Sequence, residues 1–86
     1  MNKAQWRRAI IRRDQFCIVC GSSEALQAHH LITKGSRPDL RYNEDNGITL
    51  CWRCHHMIHN DVDFKAGVYD SHGLQDRIEK IIKESL

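Results

Sequence analysis

The chain has one proline, Pro38, and no acidic residue before Asp14. It also has no apolar run near the ~20 residues that a membrane-spanning helix needs. The opening MNKAQWRRAIIRRD has no sustained apolar stretch, so it does not read as a secretory signal peptide. An intracellular, non-membrane protein is therefore expected. Internal repeats and low-complexity tracts are also missing. Length is short as well: 86 residues allow one small domain, 1–86, and such a chain buries only about 60% of its unfolded surface. A core of that size calls for a staple, which can be a disulfide, a metal or a partner.

Acid is missing where base is dense. Residues 1–13 carry Lys3, Arg7, Arg8, Arg12 and Arg13, a local charge of +5 in a chain whose net charge is +2. Arginine forks match phosphate geometry and release counterions on binding, so Arg7, Arg8 and Arg12 are candidate contacts to a polyanion such as DNA. A solvated helix face is the competing explanation.

Apolar spacing predicts a helix over 3–13, with Trp6, Ala9 and Ile10 on one face and Arg8 and Arg12 opposite. CIVCG reads as a tight turn. A short strand is expected over 25–32 and a second over 47–50, the two pairing as an antiparallel ribbon. Between them, 33–46 holds Gly35, Pro38 and several Asn and Asp residues and reads as a loop. A helix is expected over 52–60, then a loop around Gly67. Ser71 is the expected N-cap of a last helix whose Leu74, Ile78, Ile81 and Ile82 form an apolar stripe. That stripe is read as core, with a dimer face as the alternative.

Cys17-x2-Cys20 and Cys51-x2-Cys54 are two knuckles separated by thirty residues. In an intracellular chain, spaced cysteines mean metal more often than disulfide. Four soft thiolates suit tetrahedral zinc, and the x2 spacing lets both sulfurs of a knuckle reach one ion. Four protein ligands leave no open position, so this zinc is structural. Disulfides or free thiols are the alternative.

Four of the six histidines stand as His29-His30 and His55-His56, with His59 nearby. On a strand, His29 and His30 point to opposite faces unless the strand end is twisted or bulged. On a helix, His55 and His59 face the same way, which lets two imidazoles hold one ion. His56 turns about 100° from His55, toward solvent; His72 has no assigned role. A mixed site of Cys51, His55 and His59 is also geometrically conceivable. One four-cysteine site and one open histidine site account for all seven residues, however, whereas a single site leaves three unexplained.

The string AHHLI, then Asn46 in NGITL, then CWRCH with His59, resembles the HNH, or ββα-metal, nuclease motif. The nine-residue Asn46-to-His55 separation and the paired knuckles resemble its zinc-stapled branch, found in phage and mobile-element proteins. The resemblance covers about residues 17–59. It implies a small α+β fold, ββα-metal at its centre, with a four-cysteine structural zinc site and flanking N- and C-terminal helices that lie outside the motif. It further implies His30 as general base, His29 and His55 as ligands of a catalytic divalent ion, and His59 as a third ligand. Asn46 would fasten the loop and orient the base. The loop 33–46 departs from the commoner pattern in being rich in charge, which leaves the DNA path open.

Imidazole can take a proton from water near neutral pH, and an ion with open positions stabilises charge at phosphorus and at the leaving oxygen. The expected function is metal-dependent hydrolysis of DNA phosphodiester bonds. One site per chain implies nicking of one strand by a monomer, with 3′-hydroxyl and 5′-phosphate ends. Mg²⁺ or Mn²⁺, or else Ni²⁺ or Zn²⁺, would serve as the ion, in the cytoplasm of a bacterial or phage-infected cell. A non-catalytic zinc-stapled nucleic-acid-binding module is the first alternative. The other is a nuclease subunit that works only with a partner, such as a phage packaging complex.

Overall fold

The computed structural model describes residues 1–86. Helix α1 spans Lys3–Asp14 and starts at a capping box: Asn2 Oδ1 accepts from the Gln5 amide and Gln5 Oε1 from the Asn2 amide, both at 2.9 Å. Left-handed Gln15, at φ 64°, ends it. The apolar face is Trp6 and Ile10, both buried, and Ala9 is half-buried. The Cys17–Cys20 turn leads to strand β1 (Leu26–His30), which pairs antiparallel with β2 (Gly47–Cys51), setting His29 opposite Ile48 and His30 opposite Gly47. Helix α2 (Trp52–Asn60) follows β2 directly. The order β1, β2, α2 is the ββα unit, and the whole is α+β.

Strand β2 is buried along its length because both faces are covered. Ile48 and Leu50 enter a core with Ile58, Val68 and Leu74. Gly47 and Thr49 lie under α1, where the Thr49 hydroxyl donates to the Ile10 carbonyl at 3.2 Å. Gly47 is required by close approach: a Cβ there would stand 2.6 Å from Trp6 Cζ2 and 3.0 Å from Ile10 Cδ1. Arg13 and Asp14 fasten the end of α1. Arg13 donates to the carbonyls of Glu44 and Gly47, each at 2.8 Å, and Asp14 accepts from the Thr49 amide at 2.9 Å. Burial pushes the Asp14 carboxyl up, but hydrogen bonds from Arg13 and Thr49 outweigh it and hold it below its ordinary range.

Three expectations are corrected. The segment around Gly67 is not a loop but lies inside helix α3 (Val62–Ser71), started by Asp61, whose side chain accepts from the Phe64 amide at 3.0 Å. An isolated glycine in a helix costs only ~1 kcal/mol, and this cap and the packing of Val68 outweigh it. Ser71 is the last residue of α3 rather than an N-cap; the cap of α4 (Leu74–Glu84) is Gly73, left-handed at φ 62°. His72 accordingly closes α3 instead of opening α4. The loop 33–46 contains two short 3₁₀ turns, Pro38–Leu40 and Glu44–Asn46. On α4, Leu74 and Ile81 are buried and Ile78 bridges to a second cluster with Ile32 and Leu40, so the stripe is mostly core, with Ile82 at its edge.

Candidate functional site

Two ligand clusters flank the ββα unit. The four cysteines bring their sulfurs within 4.8 Å of one another, Cys20 and Cys51 at 3.6 Å. Sulfurs bound to one tetrahedral zinc at ~2.3 Å would stand roughly 3.8 Å apart, so the donor set fits zinc. All four thiols are free and no disulfide forms. Burial raises the Cys17 thiol, but amide donors from Cys20, Cys51 and Val19 outweigh it and bring it down to about 7. Cys54 is pushed up by burial and by the neighbouring sulfurs. A divalent cation relieves that crowding. The cluster ties the turn before β1 to the first turn of α2.

The second cluster is His29, His55 and His59, with ring nitrogens also within 4.8 Å. Strand alternation turns His29 and Gln27 toward α2, while helical spacing turns His55 and His59 toward β1. Ring centroids form a triangle of 5.4, 5.4 and 4.7 Å, and the Nε2 atoms of His55 and His59 are 3.0 Å apart. Gln27 Oε1 accepts from His55 Nδ1. The His55 proton therefore sits on Nδ1, leaving the Nε2 lone pair facing His59. His29 Nε2 lies 3.1 Å from the Tyr69 hydroxyl. Burial, then the charges of His55, His59, Lys65 and His30, lower His29 to about 4, so it is a neutral imidazole at neutral pH. Burial, then His59, lowers His55 as well. Three imidazole nitrogens converging from two elements fit a divalent transition ion, with no carboxylate among them.

His30 points to the other face. Its ring stacks on Trp6 at 4.0 Å and 9°, and Nε2 lies 2.7 Å from the Arg41 carbonyl. A carbonyl only accepts, so Nε2 carries a hydrogen, and in the neutral tautomer the lone pair is on Nδ1. Asn46 is fully buried and uses its whole amide: Oδ1 accepts from Ile32 N at 2.6 Å, and Nδ2 donates to the carbonyls of Ile32 and Leu40 at 3.0 and 3.1 Å. It pins the loop one residue from Arg41 and makes no side-chain hydrogen bond to His30. His56 is exposed.

His29, His30, His55 and His59 line one cleft of about 420 Å³. Of the three candidate arginines only Arg7 lines it; Arg8 and Arg12 are exposed outside. Lys3 and Lys34 join Arg7 at the cleft. Gln27, Tyr69 and the stacking role of Trp6 carry no signature of their own in the sequence. Gln27 alone had an available cue, two residues before His29 on the same strand face.

A ββα unit with a thiolate staple and a histidine cluster defines the class of small metal-binding nuclease folds. The family model HNH endonuclease matches residues 17–61, just over half the chain. The chain belongs to the HNH endonuclease family. No curated protein and no solved structure matches it.

Proposed function

We propose that the protein is a metal-dependent DNA endonuclease acting at the histidine cleft. One observation carries the reading: three imidazoles converge in the same cleft as a fourth whose Nε2 is held by the Arg41 carbonyl. His29, His55 and His59 would hold the ion, which supplies Lewis-acid stabilisation of the phosphoryl oxygens and the leaving oxygen. Nitrogen donors without carboxylate favour Mn²⁺, Ni²⁺ or Zn²⁺ over Mg²⁺. His30 Nδ1 takes the proton from water as the water oxygen bonds to phosphorus and the bond to the 3′ oxygen breaks. The 3′ oxygen takes a proton from solvent, leaving 3′-hydroxyl and 5′-phosphate ends. Trp6 and the Arg41 carbonyl hold the plane and tautomer of His30, and Asn46 is a positioning residue acting through the loop. Arg7 meets the DNA backbone at the cleft, with Arg8 and Arg12 adding positive field from outside. One site per monomer nicks one strand.

Zinc-loaded protein is expected to convert supercoiled plasmid to open circles with Mn²⁺ or Mg²⁺, to stop with EDTA, and to leave nicks that DNA ligase seals. His30→Ala should cost about 10²–10⁴-fold in rate while metal binding at the cleft persists. His29→Ala or His55→Ala should instead weaken metal affinity, with excess Mn²⁺ restoring part of the rate. DNA binding without nicking across divalent ions would favour a binding module or a nuclease that needs a partner.

A further inference from the structure

The cleft is lined by cations and by no carboxylate. Lys3 and Arg7 are one helical turn apart on α1 and form one wall. Lys34, in the loop after β1, also borders the cleft, whose other lining residues include the four histidines. All three cations are exposed and none is in an ion pair, while no carboxylate lines the cleft. Arg13, from the same basic run, is turned away to backbone carbonyls and Asp14.

We infer that Lys3, Arg7 and Lys34 form a phosphate clamp that holds a DNA strand's backbone across the histidines. The inference rests on the nuclease reading and adds to it the placement of the substrate. Cations of one sign around a concave site focus the field and raise the local concentration of a polyanion. At about 420 Å³ the cleft is far too small for a duplex, so it takes the backbone of one strand. Lys3 and Arg7, about 6 Å apart along the helix axis, reach successive phosphates on one side of the scissile bond, and Lys34 reaches the other side. The ligand is the phosphodiester backbone, without base readout.

The test compares two charge-matched doubles in the full zinc-loaded chain: Lys3→Gln/Lys34→Gln at the cleft, and Arg8→Gln/Arg12→Gln on the same helix outside it. Affinity for a fluorescein-labelled DNA duplex is measured by anisotropy over a salt series in a His30→Ala background, and nicking is measured with His30 intact. The cleft double is expected to weaken binding roughly tenfold and to flatten the salt slope by roughly 2. Its loss in nicking should fall on KM rather than kcat. The outer double should weaken binding less than threefold. Equal losses in the two doubles, or unchanged affinity in the cleft double, overturn the clamp. Zinc content and circular dichroism confirm folding, and Lys34→Glu alone provides a second variant with the same expected direction. If wild-type protein binds DNA but nicks nothing, the reading of a nuclease that acts alone fails while the binding comparison still decides the clamp.

Discussion

The two adjacent histidines divide because a strand alternates, and their partners differ accordingly. His29 faces α2 and Tyr69; His30 faces Trp6 and the loop. Outer partners of metal-ligating histidines fix tautomer and ring orientation, and losing one typically costs about 10–100-fold in metal affinity. Gln27→Leu should therefore weaken Mn²⁺ binding within that range, read by calorimetric titration, with the zinc site still filled. An unchanged titration would show that Gln27 does not orient His55. Gly47→Ala acts on the other histidine. Its methyl would drive into the Trp6 ring beneath His30, so cleavage should fall while cleft metal affinity holds; equal activity in the alanine variant would show that the stack does not position His30. The histidines and Asn46 were legible in the sequence because their spacing is set by strand and helix periodicity within the family motif. Gln27, Tyr69 and the Trp6 stack were not, since their roles depend on contacts across 28 to 40 residues or on a helix outside the motif.

Helix α1 is outside the family match, yet it supplies Trp6, Lys3 and Arg7 to the cleft. Its docking rests on Arg13 and Asp14 at its last turn. Arg13→Ala removes two bonds to backbone carbonyls and the partner of Asp14, an effect of about 1–2 kcal/mol. Tm should drop by roughly 5–15 °C for a domain of this size, whereas Arg7→Gln should leave it within a degree or two. Equal Tm in the two variants would show that Arg13 does not fasten α1. From sequence, Arg13 is indistinguishable from its neighbours in the basic run; only the fold separates a fastening arginine from a free one. Helices α1 and α2 were readable from apolar periodicity and helical histidine spacing. Helix α3 was hidden because Gly67 and Ser71 both signal a break, and the Asp61 cap that outweighs them ends one helix while starting the next.

At the scale of the whole molecule the core is thin: 18 of 86 residues are buried, and three of those are cysteines of the four-thiol cluster. Such a core is expected to need its staple, because metal-binding energy at a structural site is folding energy. One zinc per chain is expected by elemental analysis. A strong chelator, or Cys54→Ser, should abolish the cooperative thermal transition seen by circular dichroism. A retained transition in zinc-free protein would refute a structural zinc at the four cysteines.

Cys54 and His55 are consecutive residues on α2, one facing each cluster. The helix that closes the thiolate cluster is thus the same rigid body that brings His55 and His59 to His29. On the proposed reading, a chain emerging from synthesis would have no assembled cleft until α2 has been made and zinc has drawn the two knuckles together. Activation would then wait on metal supply, and thiol oxidation or zinc withdrawal would disarm the protein without any contact at the cleft. Under the proposed nuclease reading, that dependence would act as a safety catch set by the zinc and redox state of the surroundings.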